Sequence, residues 1–166
     1  GFKDITLDGA SLTTDSVGVF SASNNEIIFD SVMIKRFEIG IYFKGGFGHI
    51  WNDLSIQNTE YGARLHGDTS DNGGLFEDSV WNGGIVSVAT NKEIALEYVD
   101  AVCRNISFRN IGFESCSGIA LEISGAQFLQ FEGCWWNANT NDVVIKDDDA
   151  PLTPLTAYQN DVISVH

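Results

Sequence analysis

The side chains best suited to chemistry are acidic, and they recur beside large apolar residues. Asp53, Glu77 and Asp78 follow Trp51 and Phe76, with Asp30 and Asp8 at matching places earlier in the chain. Two carboxyls held at fixed separation do the work of glycoside hydrolysis, one as acid and one as base or nucleophile. Like charges close together also push one pKa up, which supplies the acid. The competing role is structural, because Asp and Asn fit tight turns and bond nearby backbone. Glu114, which follows Phe113 as Asn137 follows Trp136, is a further candidate general acid. A third group is the stretch 66–74, HGDTSDNGG, with His66, Asp68 and Asp71, near Glu93, Glu97 and Asp100. Its spacing matches no calcium loop. Sugar recognition asks for aromatic faces beside hydrogen-bonding groups. Trp135, Tyr61, Tyr98 and Arg64 are the expected surface contacts, together with His66, Asp68 and Asp71. Trp51, Trp81 and Trp136 are assigned to the core.

Such residues act together only if something fixes their spacing, and the sequence repeats. Residues 26–46, EIIFDSVMIKRFEIGIYFKGG, match the chain 22 residues earlier and later. Leu7, Phe29, Trp51, Phe76, Phe108 and Phe131 form one apolar column, each followed by two short or polar residues. Gly18, Gly40, Gly62, Gly84 and Gly118 form a column of corners. Apolar residues at i and i+2, punctuated by Gly, Asn and Asp, indicate short strands, and a period in the twenties indicates stacked units. The expected fold is all-β: a right-handed parallel β-helix of about six to seven coils of 22–25 residues. Residues 1–148 form this domain, as a fragment of a longer protein, and 149–166 form a terminal coil, a cap or a linker. Stacked strands lie ~4.8 Å apart, so acids on successive coils stand ~5 or ~10 Å apart. Those separations bracket the ones used by retaining and inverting glycosidases. The column spacing widens after the third and fourth coils, at 66–74 and 89–102, and insertions in solenoids gather on one, often binding, face.

Composition narrows the partners. The 166 residues carry 23 acidic and 9 basic side chains, a net charge of −14. Nucleic acid and anionic membrane call for the opposite balance. No apolar run reaches the ~20 residues of a membrane helix. Cys103, Cys116 and Cys134 lack metal spacing and are expected as buried free thiols. No metal or cofactor is expected. The outward positions Ile28 and Ile50, with Phe20 and Tyr42, suggest apolar strips covered by other chains.

The segments Asn105-Ile106-Ser107-Phe108-Arg109-Asn110-Ile111-Gly112-Phe113-Glu114 and Phe131-Glu132-Gly133-Cys134-Trp135-Trp136-Asn137 resemble coils of the pectate-lyase-like β-helix group. Within that group the chain most resembles bacteriophage tailspikes, over roughly residues 2–148. The resemblance implies a homotrimer at the virion tail, assembled in the host cytoplasm beside other tail proteins. It implies recognition of bacterial surface polysaccharide, capsule or O-antigen. Depolymerisation remains open, by hydrolysis in preference to elimination. Two alternatives stay beside it: a secreted, extracellular polysaccharide lyase or hydrolase of the same fold, and a structural or adhesive β-helix without catalysis. No catalytic residue is transferred by the resemblance.

Overall fold

The computed structural model describes residues 1–10, 14–22, 24–68, 74–99, 101–124 and 126–146. Asp71, Asp100 and the segment 149–166 lie outside the described residues. Those described are all-β and contain no helix, in sixteen strands from β1 (Phe2–Asp8) to β16 (Asn141–Ile145). Every strand pairing is parallel. One sheet has ten strands and the other six. The larger contains β1, β3 (Ile28–Lys35), β5 (Gly46–Phe47), β6 (Ile50–Gln57), β8 (Phe76–Asn82), β9 (Ile85–Ser87), β11 (Cys103–Arg109), β12 (Gly112–Glu114), β14 (Ala126–Glu132) and β15 (Trp135–Asn137). The smaller runs β16, β13 (Ile119–Ile123), β10 (Lys92–Tyr98), β7 (Tyr61–Gly67), β4 (Ile39–Lys44), β2 (Val17–Ala22). Like segments of successive repeats lie on one another, an arrangement that fits a β-helix-like solenoid.

The register explains why the strands bend together. In β3 and β6 buried residues alternate with outward ones until two outward residues occur in a row, at Asp30-Ser31 and Asn52-Asp53. The second of each pair is left-handed, with φ of 55° at Ser31 and 51° at Asp53. Gly83, Asn110 and Gly133 continue this column at φ 75°, 53° and 63°. Two further left-handed columns run through Glu26, Gly48, Asp78, Asn105, Phe128 and through Arg36, Asn58, Val88, Ser115, Ala138. Asn, Asp and Gly tolerate this conformation best. The bulkier residues are held there by the ladder of backbone bonds on both sides.

The core is a stack of rings. Phe2, Phe29, Trp51, Trp81, Phe108 and Phe131 are in register, with successive centroids 5.2, 5.9, 5.3, 6.4 and 5.1 Å apart. This corrects two members of the expected column. Leu7 pairs with Ile34, two inward positions beyond Phe29, and Phe76 pairs with Gly46, while Trp81 takes the place given to Phe76. The glycine column is corrected too. Gly18, Gly40 and Gly62 align, but their successors are Glu93, Ala120 and Asp142, whereas Gly84 lies on Leu54 of the other sheet. The stretch 89–102 is therefore no insertion, since β10 is the regular strand of its layer. Asp68 and Gly74 face each other in an antiparallel bridge, and residues 69–73 between them lie outside the described residues.

The expected outward and inward faces otherwise hold. Ile28 and Ile50 are 43% and 44% exposed and adjacent, and Trp135 is outward. Trp51 and Trp81 are buried, and half-buried Trp136 stacks on Phe113 at 4.1 Å. The three cysteines are free, Cys103 and Cys116 buried and Cys134 half-buried. Burial pushes the Cys103 thiol up to about 12.

Candidate functional site

Parallel stacking brings residues 22 to 31 positions apart into adjacent places on the outer face of the six-stranded sheet. Tyr42, Arg64, Ala95 and Glu122 lie in one register row, and Lys44, His66 and Glu97 in another. Alternation turns these side chains outward while Ile41, Phe43, Ala63, Leu65, Ile94 and Leu96 fill the core. Tyr61 and Lys92 pair at the start of β7 and β10, and Gly67 and Tyr98 at the end.

Arg64 is the hub. Its guanidinium carbon stands 5.4 Å from the Tyr42 ring centroid and 5.2 Å from that of Tyr61. Its Nε donates to Glu97 Oε2 at 3.0 Å, and Nη2 lies 2.9 Å from the same oxygen. His66 Nε2 also meets Glu97 Oε2, and Tyr42 Oη bonds His66 Nδ1 at 3.3 Å. Lys92 Nζ links Glu97 Oε1 at 3.6 Å to Glu122 Oε1 at 2.6 Å, and Lys146 reaches Glu122 Oε2 at 2.8 Å. Lys44 pairs with buried Asp68 at 3.8 Å. Asn91 Nδ2 donates to Tyr61 Oη at 2.7 Å and fixes that ring's tip.

The electrostatics follow from these contacts. Burial works to raise Glu97, but His66 and Arg64 hold it down at about 2. Burial likewise opposes ionisation of Glu122, and Lys146 and Lys92 lower it. Both stay anionic at neutral pH, so neither supplies a proton to a leaving group. His66 has both ring nitrogens engaged and braces Glu97 and Tyr42. What the face offers is a cation between two aromatic rings, edged by fixed hydroxyls and carboxylates.

Tyr61, Arg64, His66 and Tyr98, from the expected carbohydrate contacts, therefore gather on β7 and β10, with Asp68 just past the end of β7. Trp135 and Glu114 meet elsewhere, on β15 and β12, where Trp135 Nε1 donates to Glu114 Oε1 at 2.9 Å. Of the four expected catalytic acids, Asp53, Glu77 and Asp78 do not form a ladder. Asp53 is in register with Gly83 at one left-handed corner and Asp78 with Asn105 at another. Glu77 pairs with Arg104, and Asp78 Oδ1 accepts from Asn105 Nδ2 at 2.9 Å. Asp8 is bound by Arg36, which holds its carboxyl at about 2.

The burial of two polar side chains escaped the sequence. His49 is fully buried between Phe43, at 5.0 Å, and Phe76, at 5.2 Å, and burial lowers it to about 4. Its signal was the small residues Gly46 and Gly48 beside it. A Cβ on Gly46 would stand 2.8 Å from His49 Nε2. Glu93 is also fully buried, and burial pushes it up to about 8 against the pull of a backbone bond at Glu114. Among the described residues, no cluster of His, Cys, Asp and Glu is arranged to hold a metal ion. Comparison with protein-family models, curated proteins and solved structures found no match.

Proposed function

We propose that the chain is part of a right-handed parallel β-helix of the phage tailspike type, which binds bacterial surface polysaccharide, capsule or O-antigen, on the outer face of β4, β7 and β10. The observation that carries this reading is Arg64 held between Tyr42 and Tyr61 with Glu97 behind it. Aromatic rings stack on the apolar faces of sugars, and a guanidinium donates to hydroxyl or carboxylate oxygens in a fixed plane. The rings and the guanidinium are already placed by their neighbours, which lowers the entropy cost of binding. Cleavage by this face receives no support, because its carboxylates are locked as anions. Glu93, whose carboxyl is raised, is wholly enclosed. The exposed pair Ile28 and Ile50, with Phe47 nearby in sequence, suits a surface covered by the other two copies of a homotrimer.

A panel of immobilised capsule and O-antigen polysaccharides tests the reading. The protein should be retained by at least one of them, and Arg64→Ala should be retained by none. Failure of the unaltered protein to bind any member, or equal binding by Arg64→Ala, would overturn the assignment of this face. Light scattering should give three copies, and a monomer at micromolar concentration would remove the trimer.

A further inference from the structure

The second position of each strand in the six-stranded sheet is glycine or alanine in four of the six strands. Its column reads Gly18, Gly40, Gly62, Glu93, Ala120, Asp142. A Cβ on Gly62 would lie 2.6 Å from Val86 Cγ1 and 2.3 Å from the Glu93 carbonyl oxygen. One layer on, Glu93 puts a carboxyl into this narrow column, fully buried, with a backbone contact at Glu114 that only partly offsets its loss of water. The titratable groups that face it are Glu114 at the end of β12, Asp142 on β16 and the Cys116 thiol. None of these is a cation. Its neighbour Lys92 points to the outer face instead, between Glu97 and Glu122.

We propose that Glu93 is a proton-controlled latch on β10. Neutral, its carboxyl packs in the core and holds Lys92 in place. Ionised, it loosens the step from β10 to β13 and weakens the grip of the outer face on its polysaccharide. The last effect rests on the function proposed above, whereas the loosening does not. An apolar side chain would fill the same space at no electrostatic cost, and an anion there meets two other acids and no cation. The direction follows from linkage. The folded carboxyl is raised above its unfolded value of 4.5, so the stability it supplies is complete below pH 4.5 and is lost as pH rises through about 8.

Amide hydrogen exchange along Ile94–Leu96 between pH 5 and 9.5, corrected for intrinsic rates, tests the latch. The unaltered protein should show opening of β10 that rises nearly tenfold per pH unit between about pH 5 and 7 and levels off above about 8. Glu93→Gln, and Glu93→Leu as a second neutral variant, should show a flat profile. Equal pH dependence in the variants, or a flat profile in the unaltered protein, would overturn the latch. Polysaccharide affinity measured over the same range separates the two readings. Binding that does not weaken while β10 opens overturns the coupling. Absence of any binding overturns the proposed function and leaves the exchange result to decide the latch.

Discussion

The guanidinium of Arg64 stands 5.2 Å from the centroid of the Tyr61 ring, and both side chains come from the same strand, three residues apart. Such proximity within a strand needs a support from the next layer, which Glu97 gives by pairing with Arg64. Lysine would keep the charge and lose the planar stacking and the paired contact with one oxygen. Arg64→Lys is therefore expected to weaken polysaccharide binding about tenfold, or ~1.4 kcal/mol, in calorimetric titration. The melting temperature should move by no more than a few degrees.

Acid should weaken the same face. Glu97 is held at about 2 against 4.5 unfolded, so the stability it supplies is present above pH 4.5 and is lost as pH falls towards 2. With its side chain only 16% exposed, the difference is worth on the order of 3 kcal/mol. Denaturant midpoints measured from pH 7 to pH 2 should fall more steeply for the unaltered protein than for Glu97→Gln.

Gly84 marks a close approach between layers. It has φ of 100°, and a Cβ there would come within 2.1 Å of the Leu54 carbonyl oxygen. Gly84→Ala must either strain this left-handed residue or push apart β6 and the layer above it. A loss of roughly 2–4 kcal/mol in urea unfolding is expected.

The inner stack of the other column can be tested at Phe113, which is fully buried and lies on Trp136 at 4.1 Å with the rings 11° from parallel. Phe113→Ala should cost about 3–5 kcal/mol. The loss should be accompanied by a red-shifted tryptophan emission as Trp136 gains water. An unshifted spectrum would mean that the stack does not shield that indole.

Much of the fold was legible because aromatic residues, polar pairs and glycines recur together. Phe29, Trp51, Phe108 and Phe131 could be aligned from spacing alone. Phe76 and Leu7 could not, and the reason is local. Phe76-Glu77-Asp78 and Trp81-Asn82-Gly83 carry the same signature of an aromatic, a polar residue and a left-handed residue, with φ of 53° and 75° at their ends. They form two different corners of one layer, and only pairing with the layer below chooses between them. The same slip made β10 look like an insertion and hid Glu93 in a glycine column. On the candidate site, Tyr61 and Arg64 were legible as surface contacts, whereas His66 was read as part of an inserted loop and is the outward end of the same strand. Glu97 and Lys92 were not assigned as their partners, because an ion pair across layers depends on a register that the sequence leaves ambiguous.

The central claim is that the outer face of β4, β7 and β10 binds a bacterial surface polysaccharide, and resonance mapping tests it most directly. Amide and side-chain shifts should be followed while a purified capsule or O-antigen oligosaccharide is titrated in. The account predicts that Tyr42, Tyr61, Arg64, His66 and Lys92 move together and saturate, while Asp53, Asp78 and Trp135 stay still. Saturable shifts centred on Trp135 and Glu114, or on Asp53 and Asp78, with the Arg64 face unmoved, would contradict it.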